Sequence, residues 1–248
     1  MELAAPAPAC TWSETRSIGA SWVDPVHDLR LTALCQWLQE IAGNHAHAYG
    51  FGFHGMQALG MVWVLHLMRI EIRRLPRWRD DVQLSTWVRG FDGPFSLRDF
   101  RMTSAEGEVL AGAVSRWVAL DFGSRKPVRL GSRVDAFPRD PSARGASAEP
   151  RKLPAAAFGG PARPITAQHS DIDMVGHVNN VSYLRWALDS LPEPYSGRRT
   201  PVLVEQQFIA ELQAGDTGEL HHHAEPDADQ FSIRKSGQEM FRARIQWR

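Results

Sequence analysis

Between Leu29 and Tyr49 the apolar residues Leu31, Leu34, Leu38 and Ile41 recur at intervals of three, four and three. That spacing stacks side chains on one face of an α-helix and predicts a helix over about 29–49, ended by Gly50 and Gly52. The period then changes to two. In MVWVLHLMRIEIRRL, Met68, Ile70 and Ile72 fall on one side and Arg69, Glu71 and Arg73 on the other, as in a strand with one buried face. Pro76 and Asp80–Asp81 mark a turn. Strands follow over about 82–91, 97–103 and 109–121, the last two joined by a hairpin at Ala105–Glu108. From 131 to 164 proline, alanine, serine, arginine and glycine dominate and periodicity is lost, which predicts a linker. The order then repeats. Val181, Leu184, Leu188 and Leu191 again step by three, four and three, predicting a helix over about 178–191 that Pro192 and Pro194 stop. Strands are expected at about 202–212, 218–224, 230–235 and 240–247, with a turn at Gly215–Asp216.

The repeat extends to particular residues. GEVLAGAVSRW (Gly107–Trp117) and GQEMFRARIQW (Gly237–Trp247) both place a glycine and a tryptophan ten apart, and Asp24 precedes Trp37 by thirteen residues just as Asp173 precedes Trp186. Together with the shared element order this argues for two copies of one unit. Hairpin-length connections make the sheets antiparallel, and one apolar helix per copy calls for an α+β architecture in which a sheet wraps around a central helix. The expected division is an N-terminal unit over 1–135, a linker over 136–163 and a C-terminal unit over 164–248.

Composition narrows the setting. The 248 residues are 43% apolar, enough for a sizeable core, and 28 basic residues balance 28 acidic ones, so no global field recruits nucleic acid. Cys10 and Cys35 cannot form a disulfide framework and fit a reducing compartment. The opening MELAAPAPAC lacks the pattern of a secretory signal, and the longest apolar run, GMVWVLHLM, is far shorter than a membrane span. These features predict a soluble, cytoplasmic protein with no membrane span.

The chemistry concentrates in DIDMVGHVNNVSYLRW, Asp171–Trp186, where two carboxylates, a histidine and two asparagines precede a helix. A helix start needs one capping side chain. Its unsatisfied N–H groups can also polarise a carbonyl, and a carboxylate with an imidazole beside them can activate water. Gly176 leaves room for close approach to the backbone. On these residues alone an elaborate cap and a hydrolytic site both stand. His221–His223 would alternate faces in a strand and so cannot converge on one metal ion. Cys35 in the first helix reads as a buried thiol, and no serine-nucleophile elbow, phosphate-binding loop or dinucleotide fingerprint occurs in a suitable context. Glu205, Gln207 and Glu211 share a strand face if no bulge intervenes.

DIDMVGHVNNVSYLRWALDSLP resembles the signature of the acyl-acyl-carrier-protein thioesterases, the plant fatty-acid chain-terminating enzymes and their bacterial relatives. LRLTALCQWLQEIAGNHAHAYGFG, GMVWVLHLMRIEIRRLPRWRDDVQLSTWVRG and SLRDFRMTSAEGEVLAGAVSRWVALDFGSRKPVRL resemble its first helix and first sheet, so the likeness runs over most of 24–130 and 165–247. It implies two tandem hot-dog units in one chain and hydrolysis of fatty acyl-carrier-protein thioesters in fatty acid biosynthesis. The family's aspartate and histidine fall on Asp173 and His177, and its glutamate on Glu211. A neighbouring cysteine of the family is Leu212 here, and its asparagine is Val175, which supplies no side-chain amide. The resemblance gives Asp173 the placing or activation of water, with His177 and Glu211 assisting. Val175, Gly176, Val178, Asn179 and Asn180 would bind substrate or the developing oxyanion. It implies no metal and no organic cofactor.

In the first copy Asp24 stands opposite Asp173 but Asp28 stands opposite His177, so the second unit is expected to be catalytic and the first to hold the acyl chain, with Trp37, Trp63 and Trp87 as candidate lining. The partner would be an acidic acyl carrier protein, received by a basic surface for which Arg73, Arg74, Arg77 and Arg79 are candidates. Duplication makes a monomer self-sufficient and leaves a homodimer open. An acyl-CoA thioesterase and a non-catalytic acyl-binding protein, the latter motivated by Val175, are the alternatives.

Overall fold

The computed structural model describes residues 10–155, 158, 160–194 and 199–248. The Pro/Ala-rich start, residues 1–9, lies outside them. The strands among the described residues are β1 (Thr11–Ser17), β2 (Met61–Ile72), β3 (Asp81–Asp92), β4 (Phe95–Ser104), β5 (Val109–Asp121), β6 (Arg163–Thr166), β7 (Pro201–Phe208), β8 (Thr217–Ala224), β9 (Ala228–Lys235) and β10 (Gln238–Trp247). The α-helices among the described residues are α1 (Leu31–Ala48), α2 (Phe53–Ala58) and α3 (Asn180–Asp189). All strand pairings are antiparallel in one sheet of order β1-β3-β4-β5-β2-β7-β10-β9-β8-β6. Read from the centre outwards, the two halves are the same arrangement, which is the α+β, double hot-dog architecture.

The halves meet where β2 pairs with β7, with Arg69 opposite Glu205 and Ile70 opposite Val204. Arg73 and Arg74 both donate their N–H to Leu110, as Ile209 and Ala210 do to Met240. This equivalence makes Arg69 and Glu205 counterparts, so the pseudo-two-fold axis passes through a pair that face each other. They form a 2.9 Å ion pair with Glu205 buried. Helices α1 and α3 share one core with the inward side chains of both half-sheets, including Leu34, Ile41, Ile70, Leu184, Val204 and Phe241.

Several expectations change. Two edge strands, β1 and β6, were not expected, because TWSETRS and RPIT carry too few apolar residues to show a buried face. Helix α3 is shorter than its apolar spacing suggests, and its fully buried residues are Tyr183, Leu184 and Ala187, while Val181, Leu188 and Leu191 are only partly covered. Strand β7 ends at Phe208, where the Ile209 and Ala210 N–H groups both turn to Met240 C=O. The bulge takes Glu211 off the face it would have shared with Glu205 and Gln207.

The segment expected to be a linker is no free tether. Its start is buried on the helix side of the first half, Val134 beside Met56 of α2 and Phe137 against His45 of α1 and Tyr49 at its end, and the rest crosses the outer face of the sheet, where Ala146 and Leu153 are buried. Gly145 donates to Asp99 Oδ1 (2.8 Å), Ser147 to Glu71, and Leu153 to Gln207 Oε1 (2.8 Å). A Cβ on Gly112 would stand 1.8 Å from the Gly145 carbonyl oxygen, so this close passage of two backbones requires glycine. Among the described residues no helix is long and apolar enough to cross a membrane.

Candidate active site

Residues 171–179 form a closed loop ahead of α3. Asp173 Oδ1 accepts the N–H of Val175 (2.9 Å) and of His177 (3.4 Å). The Asp173 N–H bonds to the His177 carbonyl (2.9 Å) and the Gly176 N–H to the Asp173 carbonyl (3.0 Å). Gly176 sits at φ 87°, the left-handed conformation that favours glycine. The first half builds the same loop. Asp24 Oδ1 accepts the N–H of Val26 and of Asp28, both at 3.0 Å, and His27 takes the place of Gly176 at φ 73°. The leading aspartate is therefore a structural device of both copies, and the glycine answers a backbone demand rather than a ligand's.

What differs between the copies is the chemistry hung on that loop. Leu29 and Val178 make matching bonds to Pro76 and Leu212, both at 2.8 Å, which sets Leu75 opposite Glu211 and Asp28 opposite His177. Only the second copy thus carries an imidazole facing a carboxylate: His177 Nε2 lies 3.5 Å from Glu211 Oε2. The other oxygen of Glu211 is held by Arg125, reaching in from the turn after β5 in the first half. Tyr183 of α3 accepts the Leu212 N–H (3.0 Å) and so fixes the residue next to Glu211. Burial pushes the Tyr183 phenol well above its ordinary pKa.

Asp173, His177 and Glu211 come together on one cavity of about 660 Å³, which Val175, Val178, Asn180, Tyr183 and Arg125 also line. The backbone donors expected to polarise a carbonyl are not free. The N–H groups of Val175, Gly176 and His177 go to Asp173, that of Val178 to the Leu212 carbonyl and that of Asn179 to the Asp171 carbonyl (2.7 Å). These bonds close the loop, and the loop's own closure is what removes them from service. Asn179 caps α3, its Oδ1 accepting the Val181 N–H at 2.8 Å. Asp171 is buried, bonds the Gln168 N–H and pairs with Arg185, so it holds the entering chain. The Asn180 amide reaches across to Gln39 of α1 (3.1 Å). Arg125, Gln39 and Tyr183 carried no local signal in the sequence, since each acquires its position only when the halves dock.

A second cavity, about 190 Å³ and almost wholly apolar, lies in the first half between α1, α2 and strands β2 to β5. It shares Gln39, Val62, Trp63, Trp117 and Val175 with the first. Val175, where the resemblance leads one to expect an amide, is thus part of the apolar wall between the two spaces. Trp63 lines both; Trp37 and Trp87 line neither, because Trp37 packs against Trp22 and Trp87 donates to the Ala143 carbonyl. The one charged side chain on the wall is Arg98, which donates to His45 Nδ1 (2.9 Å) and Thr86 (3.2 Å). Burial lowers the Arg98 guanidinium to about 9, and burial together with that cation lowers His45 to about 3.

Cys35 is buried and its thiol is pushed up to about 12, which removes it as a nucleophile at neutral pH. Among the described residues no group of three His, Cys, Asp or Glu side chains could hold a metal ion. In strand β8, His222 pairs with Asp229 (2.6 Å) while His221 is 3.7 Å from Glu219.

The sequence matches the family model of the acyl-ACP thioesterase N-terminal domain over residues 12–136 and that of the C-terminal domain over 161–248. This chain belongs to the acyl-ACP thioesterase family. It is 32% identical to the oleoyl-acyl carrier protein thioesterase of Coriandrum sativum over 77% of its own length and 57% of that protein's. It is 26% identical to oleoyl-acyl carrier protein thioesterase 2 of Arabidopsis thaliana over 88% of its length and 71% of the relative's. The alignments leave from about three to about four tenths of these plant acyl-ACP thioesterases uncovered. Among solved structures, an acyl-ACP thioesterase from Bacteroides thetaiotaomicron superposes with a TM-score of 0.86 at 25% identity, covering 96% of this chain and 98% of that one. The 12:0-ACP thioesterase of Umbellularia californica shares the fold, with a TM-score of 0.85 at 21% identity over 97% and 98% of the two chains.

Proposed function

We propose that this chain hydrolyses fatty acyl thioesters of acyl carrier protein to free fatty acid and carrier protein, working in the cytoplasm. The observation that carries the reading is the asymmetry of the two loops. The aspartate loop occurs twice, but only the second copy sets an imidazole facing a carboxylate on it, and the cavity they line shares Gln39, Val62, Trp63, Trp117 and Val175 with the apolar one. The N-terminal unit then serves as the acyl pocket and the C-terminal unit as the catalytic half, with the segment over 136–163 joining them.

In this reading His177 and Glu211 activate the attacking water: one takes its proton while the other orients it. Arg125 keeps the Glu211 carboxylate in place. Asp173 shapes the loop that presents His177, and its Oδ2, free of partners among the described residues, remains open to water. The thioester carbonyl is met by the second N–H of the Asn180 amide, in place of the loop N–H groups that are engaged. The acyl chain crosses beneath α1 from β2 towards β4, a distance of two strand spacings, about 10 Å, and stops against Arg98 and Phe137.

The test is purified protein supplied with acyl-carrier-protein and acyl-CoA thioesters of one chain length. Release of free acid, faster from the carrier protein and reduced about 10²–10⁴-fold in Glu211→Gln, supports the proposal. Equal release by Glu211→Gln and the unaltered protein sinks the assignment of the site. Chain binding without turnover would make this an acyl-binding protein, and faster release from CoA would move the substrate class.

A further inference from the structure

The basic cluster that the sequence offers for a carrier protein is largely spent in the structure. Arg74 pairs with Glu108 (2.7 Å), Arg77 lies 3.4 Å from Asp28, and Arg79 stacks on Trp78. A different stretch has the opposite character. Residues 122–133, FGSRKPVRLGSR, hold four cations and no acid. Of these Arg125 is committed to Glu211, while Lys126, Arg129 and Arg133 are exposed and have no ion-pair partner among the described residues.

The start of this stretch, Phe122 to Pro127, is also the rim of the site. Phe122 and Arg125 line an open polar mouth of about 590 Å³ together with His177, Glu211 and Lys235. Pro127 and Arg125 line the cavity behind it. The rim is held in shape by backbone bonds: Asp121 to Lys126 (2.8 Å), Val128 to Ala119 (2.9 Å) and Leu130 to Gly93 (3.1 Å). Phe122 is 42% exposed, and its N–H bonds to Gly60 (2.8 Å), next to Leu59, which is 46% exposed. An uncovered aromatic side chain therefore stands at the entrance with Leu59 near it, and the three unpaired cations follow it in the chain, Lys126 directly after the rim residue Arg125 and Arg129 and Arg133 beyond. An aromatic anchor with a cationic surround suits a partner that is acidic and carries apolar residues among its acids.

We propose that residues 122–133, with Leu59, form the docking surface for the acidic acyl carrier protein, Lys126, Arg129 and Arg133 meeting its carboxylates and the phosphodiester from which the acyl-bearing arm leaves. This rests on the acyl-carrier-protein reading above and locates its partner. The arm enters through the mouth, so the phosphodiester stays at the rim, next to the stretch that carries the unpaired cations. None of the three cations lines either cavity, so their work is on encounter and hold rather than on the reaction.

The experiment compares the unaltered protein with the triple variant Lys126→Glu, Arg129→Glu, Arg133→Glu and with a control, Arg73→Glu, Arg79→Glu. Two measurements are made: hydrolysis of an acyl-carrier-protein thioester and of the same acyl group on N-acetylcysteamine, and direct titration of holo carrier protein binding. The triple variant is expected to raise KM for the carrier-protein substrate at least tenfold with kcat held, leave the small thioester unchanged, and flatten the salt dependence of KM. The control is expected to behave as the unaltered protein. An unchanged KM in the triple variant, or equal losses on both thioesters, overturns the proposal. Should the unaltered protein hydrolyse neither thioester, the catalytic reading fails separately. The binding titration then decides docking alone: weakening in the triple variant supports it, and equal binding or none overturns it.

Discussion

At the scale of single residues, the most informative comparison is between Asp24 and Asp173, which hold the same loop by the same two hydrogen bonds. Asp24→Ala should destabilise the protein by about 1 kcal/mol, as loss of a capping acceptor does, while leaving kcat intact; thermal unfolding and steady-state rates read the two effects. Loss of turnover in a stably folded Asp24→Ala would refute the division of labour between the halves. His45 supplies a second prediction. Its folded pKa, about 3, lies below that of an unfolded histidine, near 6.5. The unfolded chain therefore binds the extra proton between those values, and stability falls as pH drops through that window. In His45→Asn, which keeps an acceptor for Arg98 without titrating, the decline of Tm between pH 7 and pH 5 should be shallower; an unchanged slope would place the effect elsewhere, for example at His66, which burial also lowers.

At the scale of elements, the apolar cavity lies between α1, α2 and the first half-sheet, and its reach is set by side chains of β3, β4 and the segment after β5. Phe91 of β3 lines it and is only partly buried. Phe91→Ala should lengthen the cavity and move the preferred acyl chain towards more carbons, read as the ratio of kcat/KM across a series of chain lengths. A profile that does not move would show that the chain does not reach β3. Helices α1 and α3 were legible from their apolar intervals, whereas the six-residue α2 was not expected, because it is too short to show a period. The edge strands β1 and β6 were not legible either, because an edge strand with one partner has little to bury and its sequence need not alternate strongly.

At the scale of the whole molecule, the β2–β7 junction makes two units one sheet. At its pseudo-two-fold axis stand Arg69 and Glu205. In a dimer of identical units this position would face its own copy and set like charges together. A fused chain can place opposite charges there, and the outer segment then covers them, with Arg151 3.6 Å from Glu205. Arg69→Met should leave Glu205 buried without its close partner and cost about 3–5 kcal/mol, seen as a large drop in Tm with one unfolding transition retained. Two separated transitions in the unaltered protein would show that the halves are independent.

The sequence by itself determined the repeat of one unit, the order of its main helix and inner strands, and the residues of the aspartate loop. These depend on local periodicity, on turn residues and on hydrogen bonds between positions at most a few residues apart. Asp173 and His177 drew attention by their place before a helix, whereas Glu211 came only from the family resemblance; it was expected on a continuous strand and stands beyond a bulge, which no local signal marks. Only the tertiary structure decided what faces what. Docking β2 against β7 brings Arg125 of one half to Glu211 of the other and makes Val175 a shared wall. The same loop closure that presents His177 engages the N–H groups that a helix start appeared to offer. Those outcomes depend on contacts between residues far apart in the chain, which are fixed by the joint packing of both halves and have no expression in any one stretch of sequence.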